Sequence, residues 1–397
     1  MLILFHKIFY PAYLQSLGVG AWRYAEGISL RQEIKFLVYS PRNYVFLSKI
    51  FRLIEHQLNN KNNNLQAMKI AVVGATGVVG QKMLQVLEER GFDNHRLIPV
   101  ASERSAGKTI TRCGRKLSVK TVDEALSERP DLAIFSAGGN FSKENAKRFT
   151  SLGCKVIDNS SAWRMDEDVK LIVPEINGNI LTEKDKLIAN PNCSTIQLVQ
   201  VLWPLHRSYR LKRVIVSTYQ SVTGSGLQGI DQLDTERKGH KSKHPAYPHH
   251  IDLNCLPHGG DFDSSGYTSE ERKLINESRK ILGFPDLRIT GTVVRVPVKG
   301  GHSESVNISF EKHPDTQEVR DLLASTPGII VQDNPAKNLY PMPVNAEDKD
   351  ETFVGRIRED ESFPNSLNLW IVSDNLRKGA ATNSIQIAEY LINQGYV

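Results

Sequence analysis

From residue 68 onward the chain alternates short apolar runs with amphipathic stretches, and this alternation limits its fold more than any other feature. Runs 69–73, 97–101, 132–136 and 155–158 are apolar and rich in β-branched residues, as in strands buried on both faces. Between them, 81–90 places Met83, Leu84 and Leu87 on one helical face, and 143–151 is a second helical stretch. Strands separated by helices predict a parallel, doubly wound sheet of the α/β class. Beyond Cys193 the rhythm loosens. Strand-like runs 213–219, 287–298, 303–310 and 367–373, with a helix over 269–282, predict an α+β domain with a mainly antiparallel or mixed sheet. A last helix over 378–394 spaces Ala380, Ile385, Ala388 and Leu391 for one buried face and can return to the first domain.

With 397 residues, 40% hydrophobic and 24% charged, the chain is too long for one small domain and too polar for a membrane bundle. Its four cysteines are too sparse for a disulfide scaffold and suit a reducing, cytoplasmic setting. Most of the net charge of +6 lies in residues 1–67, so the remainder is nearly neutral and offers nothing to nucleic acid or to an anionic membrane. That first stretch ends in the polar run 59–64 and reads as a separate extension. Three readings of it stay open: a targeting segment, a membrane-surface segment, or upstream sequence translated ahead of a start at Met68. Its opening apolar run breaks at His6, Lys7 and Pro11, too early for a spanning helix.

Directly after the first strand comes Gly74-Ala-Thr76-Gly77-Val78-Val79-Gly80, followed by a helix. Glycines at such a turn let the backbone approach a pyrophosphate, and the unpaired N–H groups of the helix start favour the anion. The GxxGxxG spacing is a variant of the dinucleotide fingerprint; a merely tight turn is the alternative. After the second strand, Glu103 keeps NAD open, whereas Arg104, Ser105 and Lys108 suit the extra phosphate of NADP, which is the favoured cofactor. A solvated surface loop is the plainer reading of the same residues.

The stretch Asn190-Pro-Asn-Cys193-Ser-Thr195 carries the chemistry. A proline-containing turn delivers a cysteine to the start of a helix over 194–205, where the dipole stabilises a thiolate. Cys113, Cys154 and Cys255 read as inert small hydrophobes. In order, the strings MKIAVVGATGVVGQKML, SERSAGK, DNSSAWRMD, NPNCST, YQSVTGSG, RVPVKGGHSESV and DNLRKGAA resemble the aspartate-semialdehyde dehydrogenase family, over essentially Met68 to the C-terminus.

That resemblance implies reversible oxidation of an aldehyde to an acyl phosphate, with Cys193 as nucleophile because hydride leaves only from an sp³ carbon. His302, after the pair Gly300-Gly301, fits the base that takes the hydroxyl proton, and the reading needs it within reach of an ionised Cys193. Gln220, ending a strand, fits a neutral substrate holder. Arg295 lies in an apolar strand and needs a fixed anion, either the substrate carboxylate or an internal acid. The family pattern implies Arg164 and Lys273 for phosphate, Glu270 for the substrate amino group, and Asn375, Thr223 and Gly224 beside the cofactor. On spacing alone Glu270 and Lys273 form an ordinary surface ion pair, Asn375 a helix cap, and Glu271 leaves the register open.

The organisation that follows is an extension at 1–67, a Rossmann-like NADP-binding domain at 68–192 and 376–397, and a catalytic and dimerisation domain at 193–375. The expected activity is NADP-dependent and phosphorylating, on the route to lysine, threonine and methionine, in a homodimer or homotetramer with inorganic phosphate as co-substrate. Two rivals are an N-acetyl-γ-glutamyl-phosphate reductase and a catalytically silent nucleotide-binding relative. His240, His244, His249, His250, His258 and Cys255 crowd one segment, but their spacing fits no zinc template, so no metal is expected.

Overall fold

The computed structural model describes residues 67–397 apart from Cys113, so the readings of residues 1–66 and of Cys113 lie outside the described residues. The first half builds β1 (Lys69–Val73), α1 (Val78–Glu89), β2 (Arg96–Val100), the hairpin β3 (Thr109–Arg112) and β4 (Arg115–Ser118), α2 (Val122–Ser127), β5 (Leu132–Phe135), α3 (Gly139–Ser151), β6 (Lys155–Asp158), β7 (Lys170–Leu171), α4 (Pro174–Asn177) and β8 (Leu187–Ala189). Six of these strands form a parallel sheet in the order β2-β1-β5-β6-β8-β7. Its central strands β1 and β5 are buried almost throughout, which is why they read as unbroken apolar runs.

The second half builds α5 (Cys193–Tyr209), β9 (Leu211–Gln220), α6 (Gly226–Arg237), α7 (Ser269–Leu282), β10 (Arg288–Arg295), β11 (His302–Phe310), α8 (Thr316–Ser325), β12 (Ile329–Val331), α9 (Pro343–Ala346), β13 (Thr352–Glu359), β14 (Ser366–Ser373) and α10 (Thr382–Asn393). Its sheet runs β10-β9-β11-β14-β13-β12, antiparallel at the centre and parallel at both edges. The fold is therefore α/β with a parallel and a mixed sheet. One apolar cluster passes from Val73 and Phe135 through Val199 and Leu202 of α5 to Val216 and Val306, so the helix that begins at Cys193 is clamped between the sheets. Ile385, Ala388 and Leu391 of α10 pack back on Ile70, Val72 and Leu84.

Among the element bounds that differ from the sequence reading, two have a direct physical reason. Helix α1 starts at Val78 instead of 81, because Gly77 is itself the cap and the valines occupy the first turn. The final helix opens with a π-helical turn, Arg377–Ala381, in which Lys378 is buried and paired with Glu175 at 2.7 Å.

Candidate active site

Backbone geometry makes the glycine turn obligatory. Gly74 has φ 88°, and a Cβ there would lie 2.3 Å from the Ser136 carbonyl oxygen; one on Gly80 would lie 2.1 Å from the Gly74 carbonyl oxygen. The Gly74 and Ala75 N–H groups donate to the Val100 carbonyl at 2.8 and 3.0 Å, tying the turn to the end of β2. No side chain caps α1, so its first N–H groups face a cleft of about 380 Å³ that Gly77, Val78 and Val79 line. Thr76 is exposed beside it, and Ser105 is buried in the 3₁₀ turn Glu103–Ser105 that follows β2. Arg104, in the same turn, is exposed. Neither Arg104 nor Ser105 lines the cleft itself.

Across the cleft, Asn192 caps α5, its Oδ1 accepting from Ser194 N at 3.0 Å and Thr195 N at 3.4 Å. The Asn192 N–H donates to Glu277 Oε2 at 2.7 Å, and its side-chain amide donates to Glu270 Oε2 at 2.8 Å. Arg164 locks the same loop: Nε donates to the Asn190 carbonyl at 2.9 Å, Nη2 to the Asn159 carbonyl at 2.8 Å, and Nη1 to Glu277 at 3.0 Å. Cys193 is half-buried at this helix start. Burial and the Glu270 carboxylate push its thiol up to about 11, against the opposing pull of Arg295 and Arg164. The thiol is thus raised, where the helix start taken alone would lower it.

His302 begins β11 and is fully buried. Its Nδ1 accepts from the Ser221 N–H at 3.1 Å, which places the proton of the neutral ring on Nε2, and Nε2 has no hydrogen-bond partner among the described residues. Burial, then the charge of Arg295, holds the imidazole well below its usual pKa. The Ser221 hydroxyl stands 3.3 Å from the same Nδ1. No hydrogen bond joins His302 to Cys193 among the described residues. Gln220 donates to Ser194 Oγ at 2.7 Å, while its Oε1 is buried without a partner.

Arg295 ends β10 beside Gln220 and is 8% exposed. Among the described residues its guanidinium makes one hydrogen bond, 3.4 Å from Nη1 to the Ser221 carbonyl, while the neighbouring carboxylates Glu277 and Glu270 pair with Arg164 and Lys273. A Cβ on Gly224 would stand 2.7 Å from Arg295 Nη1 and 3.3 Å from His302 Nε2, so a side chain there would crowd both; Arg295 lines the cleft, and His302 lies behind Gly224. Asn375 Oδ1 accepts from the Ser221 and Thr223 hydroxyls at 3.1 and 3.0 Å. Asp374, not Asn375, caps the next turn, accepting from Leu376 N at 2.7 Å.

With this geometry in hand, comparison with known proteins is direct. Residues 69–184 match the semialdehyde dehydrogenase NAD binding domain, and residues 202–378 the semialdehyde dehydrogenase dimerisation domain. The aspartate-semialdehyde dehydrogenase of Aquifex aeolicus is 48% identical over 337 residues, 83% of this chain and 99% of that protein. The chain belongs to the aspartate-semialdehyde dehydrogenase family. A Bacillus subtilis member is 45% identical over 338 residues, 82% of this chain and 98% of its own. The crystal structure of aspartate semialdehyde dehydrogenase II from Vibrio cholerae, complexed with ASA, matches with a TM-score of 0.79 at 40% identity, covering 83% of this chain and 99% of that one.

In this member of the aspartate-semialdehyde dehydrogenase family, the register left open at Glu270 and Glu271 resolves. Glu270 lines the cleft with Lys273; burial raises its carboxyl, but Lys273, with Arg295 and Arg164, holds it below the usual range. Glu271 faces inward, accepting from Thr268 N at 2.6 Å and Val293 N at 2.9 Å. Of the other cysteines, Cys154 is buried as read, but Cys255 is exposed and packs in no core. The histidine segment stays dispersed: His258 stacks on Phe262 and His250 stands 3.5 Å from Glu236. Sequence reading missed Asn192, Ser194, Ser221 and Glu277. Two of them had a signal: Asn192 stands where a helix N-cap belongs, and the spacing of Glu277 from Leu274 and Ile281 puts it on the buried face of α7.

Proposed function

We propose that the chain catalyses the reversible, NADP-dependent, phosphorylating oxidation of L-aspartate 4-semialdehyde to L-aspartyl 4-phosphate through a thioester on Cys193, in lysine, threonine and methionine synthesis. The observation that carries this reading is the buried Arg295 guanidinium, without a carboxylate of its own, in the same cleft as Cys193 and Glu270. Its fork suits the substrate α-carboxylate, while Glu270, oriented by Asn192, suits the ammonium. The thiol adds to the aldehyde carbon and its proton goes to oxygen, giving a hemithioacetal.

His302 Nε2–H first donates to that oxygen. Taking the hydroxyl proton needs the other neutral tautomer: Nε2 gives its proton to solvent, Nδ1 takes one up and turns from the Ser221 N–H to donate to the Ser221 hydroxyl oxygen, and Nε2 is then free to accept. Gln220 holds the first turn of α5 through Ser194. Phosphate then attacks the thioester carbonyl, releasing Cys193, with Lys273 and Arg164 supplying positive charge.

The glycine turn fits a dinucleotide because Gly74 and Gly80 exclude any side chain and α1 has no cap of its own. Gly77, Val78 and Val79 would hold the pyrophosphate, Arg104 and Ser105 the 2′-phosphate, and Asn375, with Thr223 and Gly224, the nicotinamide amide. Bound there, NADP supplies the hydride acceptor. The outer face of the mixed sheet, where Tyr219 is exposed and its ring centroid lies 5.3 Å from that of Trp370, is assigned to a second copy in a homodimer or homotetramer.

Phosphate-dependent reduction of NADP and of NAD, with aspartate semialdehyde run beside N-acetyl-glutamate semialdehyde, tests the reading. Preference for aspartate semialdehyde and NADP supports it; faster turnover of the acylated substrate, which has no ammonium for Glu270, overturns it.

A further inference from the structure

A buried cation stands in the widened turn that opens the last helix. Over Arg377–Ala381 the backbone bonds span five residues, from Gly379 N to the Asp374 carbonyl at 3.1 Å and from Ala381 N to the Leu376 carbonyl at 3.0 Å. Such π turns are rare and collect at functional sites. This one lines the cleft with Gly379 and Ala380. A Cβ on Gly379 would lie 2.9 Å from Cys193 Cβ and 3.3 Å from Cys193 Cα, so bare backbone rests against the nucleophile and restricts the directions open to its sulfur.

Two consecutive basic residues tie this turn to different elements. Arg377 reaches Asp350 at 2.7 Å and Glu89 of α1 at 2.5 Å. Lys378 is 1% exposed and uses all three donors of its ammonium: Glu175 of α4 at 2.7 Å, and Gln386 Oε1 and Asn383 Oδ1 of α10 at 2.7 and 3.3 Å. Asn383 in turn donates to Asn190 Oδ1 at 2.7 Å, and Asn190 opens the turn that delivers Cys193. Lys378 is thus joined to the nucleophile by two routes, one through the backbone of the next residue and one through Asn383 and Asn190. Without the ammonium, three oxygens lose a donor and the turn can relax to the ordinary four-residue spacing, which would rotate Gly379 away from Cys193.

We propose that Lys378 is a positioning residue for the nucleophile: its ammonium holds the widened turn and the Asn190 loop together, and through Gly379 and Asn190 sets Cys193 in the cleft. The inference rests on the assignment of Cys193 under the proposed function. Lys378→Met keeps the stem and removes the ammonium. Gly379→Ala and Asn383→Ser each disturb one of the two routes with Lys378 in place. Arg320→Met is the control, since Arg320 and Asp333 form an ion pair about as buried as Lys378 and Glu175, on residues that do not line the cleft. The readouts are melting temperature, steady-state kinetics, and the rate of iodoacetamide alkylation at Cys193 across pH 7–9, followed by peptide mass spectrometry.

Lys378→Met is expected to lower kcat at least about ten-fold with KM within about three-fold, because Arg295 and Glu270 keep their places, and to change the alkylation rate at least about three-fold. Arg320→Met should melt lower as well but keep kcat and alkylation within about two-fold. Wild-type kcat and alkylation in Lys378→Met overturn the inference, as does an Arg320→Met enzyme impaired to the same degree, which would mean that lost stability alone lowers the rate. If Lys378→Met does not fold, Gly379→Ala and Asn383→Ser decide: a loss of kcat with altered alkylation in either supports the inference, and wild-type values in both overturn it. Full activity of a Cys193→Ala enzyme would instead overturn the underlying assignment.

Discussion

Replacing Arg295 by methionine separates function from stability, because the free enzyme holds this guanidinium buried without a carboxylate partner. An unpaired buried cation costs folding free energy, so the isosteric apolar side chain should stabilise the protein by about 1–2 kcal/mol, reduced from dry-core values because the group lines an open cleft. In a chain of this size that is a rise in melting temperature of about 2–4 °C. Function moves the other way. Losing a bidentate, charge-assisted pair with the substrate carboxylate costs about 2–4 kcal/mol, or roughly 30- to 1000-fold in kcat/KM. Arg295→Lys keeps the charge but not the fork, so it should raise KM by roughly ten-fold or more with little change in melting.

The same substitution changes the acid limb of stability. His302 is held below its unfolded pKa by burial and then by Arg295, so the unfolded chain binds the extra proton first and stability falls as pH drops below about 6.5. Without the guanidinium the folded pKa moves back toward the unfolded one, so the loss begins at the same pH but is smaller and levels off sooner. Calorimetry from pH 5 to 8, run beside initial rates, reads both effects. A methionine variant that melts several degrees lower, or that keeps its KM, would refute the reasoning, since Arg295 would then be serving the fold.

Cys193→Ala should abolish turnover while leaving NADP affinity within a few-fold by titration calorimetry; unchanged turnover removes the thioester. Glu270→Gln removes a charge that raises the Cys193 thiol, so alkylation at pH 8 should quicken by roughly three- to ten-fold while the KM for aspartate semialdehyde rises; a slower reaction would mean the carboxylate does not face the sulfur. Gly80→Ala forces a Cβ to 2.1 Å from a backbone oxygen, and should lose about 1–3 kcal/mol of stability and most cofactor affinity; wild-type melting and affinity together would show that the turn tolerates a side chain.

What the sequence made legible follows the range of the forces involved. Strands β1 and β6 were readable to the residue because burial on both faces demands β-branched runs. Helix α7 was readable because Thr268 and Glu271 form a capping box and Gly283 closes it in the left-handed conformation. The hairpin β3–β4 was not, since its side chains are exposed or half-exposed and leave no apolar pattern. Strand β13 hid behind Gly355 and an irregular register in which Arg356 has φ 55°.

The site divides the same way. The cysteine, its turn and the helix it starts are contiguous, so a thiolate at a helix N-terminus was the natural local inference. The terms that decide the thiol come from farther off: burial between two sheets, Glu270 on α7, Arg295 on β10 and Arg164 on the loop after β6. In a desolvated cleft a nearby carboxylate and lost hydration outweigh a partial dipole charge, worth at most about 2 kcal/mol. The proton on the sulfur is therefore held more tightly than the helix start alone would dictate. His302 is likewise set by Ser221, a residue 81 positions away in the chain, and no spacing rule connects the two. The motif named the atoms; the proton inventory of the site belongs to the tertiary fold.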